Sequence, residues 1–428
     1  MGGGKPPPSG ESRPRRVELD TRICAGPRSD STVKSVRFGI FYEHQLPRPW
    51  DEDSEHRLLH ESLDQIELAD RLGYHYAWEV EHHFLEEYSH SSAPEVFLGA
   101  ATQRTKNIRL GHGIIQLTTN HPARVAERVS TLDLLSHGRV ELGIGEASST
   151  TELHPFGRRF RDKREVWEEA VRAIIPMFGE GRTEHHGKYF DLPPRNVIPK
   201  PMQKPHPPLW VACSQRDTIE YCGRRGMGAL SFQFISADEA HAWVTSYYNA
   251  FTKGQEKLAD YAANPNIAVV GGFMCCPTDE EAHVKADGWT FFAFALRYYA
   301  THVPGEPGTA ENLWEEYQSF RRTPQFENMH VGGLIGSPKT IRSKLQKFEA
   351  SHVDQVVFIN QAGRNTHDDI CSSLELFAGE VMPEFVARDD EHQRWKAAVL
   401  AGDIVLHDVD TSPSALARPM RAPIETTT

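Results

Sequence analysis

The feature that most narrows the fold is a hydrophobic period that switches eight times from strand-like alternation to helix-like spacing. Residues 36–42, with Val36, Phe38, Ile40 and Tyr42 on one face, predict a strand. Leu58, Leu59, Leu63, Ile66, Ala69 and Leu72 then recur at helical spacing until Gly73 stops them. The pairing returns at 76–80 with 93–104, 108–116 with 123–135, 139–145 with 164–178, 209–212 with 218–225, 228–232 with 237–251, 267–275 with 279–299, and 355–360 with 368–381. Strands separated by helices pair in parallel, and closing eight into a ring leaves no edge. The expectation is an α/β fold, a single (β/α)8 TIM barrel with insertions after the fourth and seventh strands. An open doubly wound sheet is the runner-up. It would carry a glycine-rich turn after the first strand, where this chain has Glu43-His44-Gln45-Leu46-Pro47.

Residues 1–33 read as a disordered N-terminal tail, 34–388 as the barrel, and 389–428 as a C-terminal extension and tail. Two stretches exceed ordinary loop length: 181–208, with seven prolines, and 301–333, ahead of a helix at 338–350. Insertions of this kind serve as lids or partner contacts. With 47 Lys+Arg against 59 Asp+Glu, the net charge of −12 gives no field for gathering nucleic acid or an anionic membrane. The most apolar run, 289–296, falls far short of the roughly 20 residues a membrane helix needs, and the N-terminus has no signal-peptide core. Six cysteines without C-x-x-C spacing point to a reduced, cytoplasmic protein.

Reactive groups in such a barrel sit where strands end. The second predicted strand ends with Glu79, Glu81, His82 and His83, and neighbouring residues on an extended strand face opposite ways, so one of the two imidazoles points into the mouth. The alternative is a rim cluster hydrogen-bonded to loops. No H-x-H on the early strands and no H-E-x-x-H argues for metal, so none is expected. Glycines in Gly111-His112-Gly113-Ile114 let backbone approach a ligand or merely relieve packing. The run from Gly145 to Ser149 followed by Arg158, Arg159, Arg161 and Arg164 suits an anion. So does Ser214-Gln215-Arg216-Asp217-Thr218 at a helix start, although Ser, Asp and Thr also cap helices with no ligand. Phe41, Tyr42, Trp78, Phe232 and Phe273 either line a pocket or form core.

Taken in order, Glu81-His82-His83-Phe84, His121-Pro122, Asp133-Leu134-Leu135-Ser136-His137-Gly138-Arg139, Gly143-Ile144-Gly145, Phe156-Gly157 and Pro208-Leu209-Trp210-Val211-Ala212 carry a resemblance. Over roughly 36–383 the chain resembles the bacterial luciferase-like family of flavin-dependent monooxygenases. The resemblance implies a barrel holding FMN, with His82 matching a histidine proposed as base beside the flavin. Gly113-Ile114 matches a pair joined by a non-prolyl cis peptide against the ring. Arg164 and Ser214 match phosphate contacts, with Arg216 and Thr218 as their neighbours. Gly145 and Glu146 stand where luciferase has a reactive cysteine and a phosphate-binding arginine, so phosphate must lean on Arg164 and the 214–218 loop, and light emission is not implied.

The resemblance also implies a two-component system in which a separate NAD(P)H-dependent flavin reductase supplies reduced FMN. O2 is then activated as a C4a-peroxide to oxygenate a small organic substrate. His82, with an ordinary pKa near 6.5, serves as acid or base. The 301–333 insertion closes over the site, and outer helices form a homodimer. Two alternatives stand beside this: a deazaflavin-dependent hydride-transfer oxidoreductase on the same barrel, and a flavin-binding protein without turnover.

Overall fold

The structure, a computed structural model, describes residues 36–232, 236–327 and 333–407; the expected N-terminal tail, the end of the C-terminal tail and part of the second insertion lie outside them. The strands are β1 (Arg37–Tyr42), β2 (Tyr76–Glu79), β3 (Arg109–His112) with its short continuation β4 (Ile115–Gln116), β5 (Val140–Gly145), β6 (Thr183–His186), β7 (Asp191–Arg195), β8 (Leu209–Cys213), β9 (Gly228–Ser231), β10 (Ile267–Cys275), β11 (Gly333–Gly336) and β12 (Gln355–Gln361). Pairing runs β12-β1-β2-β3-β5-β8-β9-β10 and returns from β10 to β12, all parallel. This is the closed eight-stranded (β/α)8 barrel that the periodicity predicts. The strands are nearly continuous apolar runs because a barrel strand is buried on both faces.

One face of each strand packs on the helices. Phe38 and Phe273 meet Phe358 and Phe377 there, so Phe273, like Tyr42, belongs to the outer core and not to a pocket. Phe41, Trp78, Trp210, Leu230 and Val270 belong to the second, interior cluster. Tryptophan needs a neighbour without a side chain to fit in so narrow a ring: a Cβ on Gly111 would lie 2.2 Å from the Trp78 ring, and one on Gly228 would lie 2.6 Å from Trp210. At the ring's N-terminal end, Trp210 donates to Glu141 (2.6 Å), which also pairs with Arg109.

The two insertions are fastened differently. Residues 181–208 carry the antiparallel β6–β7 hairpin and reach the base, where Gln203 binds Asp133 (2.7 Å) and the carbonyl of Val140 at the start of β5 (2.8 Å). The hairpin, however, packs on the start of helix Lys163–Phe178, which follows β5: Glu169 accepts from the amides of Lys188 (3.0 Å) and Phe190 (2.8 Å), and Glu165 accepts from the Tyr189 hydroxyl (2.7 Å). The second insertion is fastened beyond the C-terminal ends of β1 and β2. Its helix Leu313–Phe320 begins on the buried Glu87 carboxylate, which accepts from the amides of Leu313 (2.5 Å) and Trp314 (3.2 Å) and from Arg48 N (2.8 Å). Beside it, helix Asp287–Tyr299 sets Trp289 against Gly272, and Phe292 against Trp289 and Tyr88.

Candidate active site

The inward face of β1 runs through Gly39 and Phe41, and the next residue of that parity, Glu43, carries a buried carboxylate beyond the strand end. Across the mouth, His82 follows β2 with its side chain only 18% exposed. Its Nδ1 lies 2.7 Å from Glu152 Oε1, and its Nε2 lies 3.5 Å from Glu43 Oε2. Glu152 comes from the short helix Thr150–Leu153 after β5. Gln116 Nε2 (2.6 Å), the Ser148 hydroxyl (3.1 Å) and the Ser149 hydroxyl (3.3 Å) donate to it. Tyr88 donates to Glu43 (3.1 Å). His83 turns elsewhere, to Glu81 (3.0 Å) and the edge of Phe156, as strand alternation requires. Among the described residues no three His, Cys, Asp or Glu side chains converge as metal ligands, so the trio is an ion-pair array.

Burial alone would lower the His82 pKa, but the carboxylates of Glu152 and then Glu43 outweigh it and lift it to about 9. For Glu152 burial is likewise overcome, by His82 and the Gln116 and Ser148 hydrogen bonds, and its pKa falls to about 2. Glu43 goes the other way: burial dominates the pull of His82 and Tyr88, and its pKa rises to about 7. The flanking carboxylates thus favour the imidazolium form of His82, whereas its residue type alone suggested a group poised near 6.5.

Gly113 and Ile114 stitch β3 to the segment that bears His82. Gly113 N donates to Glu79 O (2.6 Å), and Glu81 N donates to Ile114 O (3.1 Å). A side chain at 113 would come 2.7 Å from the Phe41 ring. Their peptide is trans, unlike the resemblance's implication; the cis bonds among the described residues precede Pro49, Pro199 and Pro205, where a tertiary amide brings the two isomers close in energy.

The expected phosphate groups lie on the segments that follow β5 and β8. Ser214 is exposed, and helix Arg216–Arg225 starts after Gln215 with no side-chain cap, leaving its first amides to an anion. Thr218 lies in its first turn, its amide bonded to Gln215 O (3.1 Å). The Arg164 guanidinium stacks 4.8 Å above Tyr221 of the same helix. Arg216 is tied to Ser246 (3.0 Å) and Glu220 (3.2 Å), which makes it the least available of the four. Glu146 pairs with Arg164 (2.5 Å) and Lys163 (3.4 Å). An uncapped helix start beside guanidinium groups, together with a buried Glu43 Oε2 that has no hydrogen-bond partner, fits a ligand with an anionic tail and a polar head, as FMN has.

Sequence reasoning found His82 but missed Glu43, Glu152, Tyr88 and Gln116. Glu43 had a signal, the inward parity of β1. Glu152 had none, because its approach to the end of β2 depends on β5 lying one strand beyond β3, a pairing the local pattern does not state.

The luciferase-like monooxygenase family model matches residues 36–355, and the chain belongs to that family. It is 37% identical to the limonene 1,2-monooxygenase of Rhodococcus erythropolis over 372 residues, 82% of this chain and 87% of the relative. It is 26% identical to the oxygenase component of the flavin-dependent trigonelline monooxygenase of Acinetobacter baylyi over 358 residues, 82% and 96%. The same barrel is seen in the FMN-bound oxygenating constituent of 3,6-diketocamphane monooxygenase from a Pseudomonas putida plasmid (TM-score 0.64, 20% identity, 82% and 99% covered). The chain is therefore an enzyme of the flavin-dependent monooxygenase class, with FMN as cofactor and an organic substrate oxygenated through flavin–oxygen chemistry.

Proposed function

We propose that this enzyme is the oxygenase half of a two-component system that oxygenates a small, predominantly apolar molecule, with His82 as its proton donor at the reacting centre. The observation that carries the reading is His82 held between Glu152 and Glu43 at the barrel mouth. Bound reduced FMN would supply the electrons that activate O2. Ser214, Thr218 and Arg164 would hold its phosphate, with Arg216 buttressing the loop. Gly113 and Ile114 would leave room beside the ring. A charged imidazole donates a stronger hydrogen bond than a neutral one, and Glu152 fixes its orientation. The wall of Tyr88, Phe292 and Trp289 and the insertion helix Leu313–Phe320 would keep water out and admit an apolar substrate; similarity to a limonene-oxygenating enzyme supports that substrate class.

An NAD(P)H-dependent flavin reductase would be the partner, a reading supported by the Acinetobacter relative being named an oxygenase component. A homodimer would use helices Pro94–Arg104 and Pro122–Leu135, where Val96, Leu134 and Leu135 are exposed. Among the described residues the five cysteines are free thiols, which suits a cytoplasmic setting, and no helix there is long and apolar enough to cross a membrane.

Replacing His82 by Ala tests the assignment. FMN affinity should change little, while substrate oxygenation falls by about 100-fold or more and the reducing equivalents appear as hydrogen peroxide. Unchanged coupling of oxygen uptake to product would remove His82 from the reaction. Oxygen uptake with reduced FMN and substrate also separates this reading from deazaflavin-dependent hydride transfer and from flavin binding without turnover.

A further inference from the structure

We propose that the site's exchangeable proton resides on Glu43, and that His82 relays it while remaining charged at rest. This rests on the assignment of His82 above. The two carboxylates that flank the imidazole are solvated very differently. Glu152 accepts from His82 Nδ1, Gln116 Nε2, the His83 amide, and the amide and hydroxyl of Ser148, with Ser149 beside them; a carboxylate with that many donors stays ionised. Glu43 is 2% exposed and takes one neutral donor, Tyr88, on Oε1. Its Oε2 is buried without a hydrogen-bond partner, 3.5 Å from His82 Nε2. A buried carboxyl so poorly served is the cheaper place to keep a proton.

The other carboxyls near the site are placed differently: Glu79, buried and also with an unpartnered Oε2, faces His44 and not His82. Glu81, on the His82 segment, is held by Gln116 N (2.8 Å), Asn120 (2.8 Å) and His83. His44, next to Glu43, faces Glu79 (3.2 Å), whose own carboxylate is tied to Ser91 (2.7 Å). The charged and titratable groups facing the pair are thus Glu152, Glu81, Tyr88 and His44. The rise of the Glu43 pKa to about 7, driven by burial, agrees in direction with the donor count.

The proton balance is simple. When His82 Nε2 gives its proton to a reacting oxygen, neutral Glu43 returns one to the imidazole and becomes a carboxylate. The array then carries one more negative charge until solvent reprotonates Glu43. Glu43 acts through His82, so it is a positioning and proton-holding residue.

The test uses the flavin-free protein, with nitrogen-15 histidine NMR followed across pH. Both His82 ring nitrogens should stay protonated through neutrality, and their signals should show a step near pH 7 transmitted from Glu43. Glu43→Gln should abolish the step and remove the corresponding break from the pH–rate profile of oxygenation. Should Gln at 43 prevent folding, Tyr88→Phe removes the one donor that favours the Glu43 carboxylate and must move the step to higher pH. Loss of the imidazole's own proton near neutral pH, persistence of the step in Glu43→Gln, or an unmoved step in Tyr88→Phe would overturn the proposal. Failure of the oxygenase reading would leave these spectra as predicted, so the two claims can fail separately.

Discussion

Glu146 lies 2.5 Å from Arg164 and 3.4 Å from Lys163, so a phosphate approaching that rim meets cations already partnered. Converting the carboxylate to an amide by Glu146→Gln releases both. FMN should then bind roughly 3- to 10-fold tighter, and Arg164→Ala should weaken it by roughly tenfold, the span of one charge-assisted hydrogen bond; flavin fluorescence quenching measures each. Equal affinities in all three proteins would place the phosphate elsewhere. At this scale the sequence was informative where chemistry is local. His82 could be found because strand alternation sends one of two adjacent imidazoles into the mouth. Its ordinary pKa misled, because the shift to about 9 is set by Glu152 and Glu43, which are distant in sequence and are brought to His82 by the pairing of neighbouring strands.

Helix Asp389–Ala401 shows what an element can do that composition does not announce. It presents His392 and Lys396 to Asp354 (2.9 and 2.8 Å), which also accepts from Tyr248 (2.7 Å) and the Ile267 amide (2.8 Å), while Trp395 stacks 3.9 Å from His352. Burial opposes ionisation of Asp354, but Lys396 and His392 overcome it and hold its pKa below the ordinary range. A depressed carboxyl pKa contributes stability above the unfolded-state value of about 3.9 and loses it as pH falls below that. Asp354→Ala should cost about 3–5 kcal/mol, the usual price of stranding one side of a buried ion pair. It should also flatten the acid limb of stability against pH. Denaturant melts from pH 3 to 7 would show both effects; an unchanged midpoint would mean the helix is not fastened there.

The barrel strands were legible because burial on both faces leaves long apolar runs. The β6–β7 hairpin was not, since its residues are polar and mostly exposed, and it contains Pro193 and Pro194. Part of the resemblance motif proved to be scaffold: Asp133 anchors Gln203, and buried Arg139 donates to the carbonyls of Ile108 (2.6 Å) and Ser136 (2.7 Å).

For the whole molecule, the parallel order of the strands does the functional assembly. It brings Glu43 after β1, His82 after β2 and Glu152 after β5 to one point, with the uncapped helix after β8 at the same end of the barrel. The insertion that carries helix Leu313–Phe320 is fastened at that end by Glu87, and the proline-rich one runs from the start of helix Lys163–Phe178 to the base. The reactive groups gather at the C-terminal end of the strands. The most direct test is a crystal structure of the enzyme soaked with FMN. The account predicts the phosphate against Ser214, Thr218 and Arg164, with the ring within hydrogen-bond reach of His82. A phosphate bound away from that rim, or a ring separated from His82 by other side chains, would contradict it.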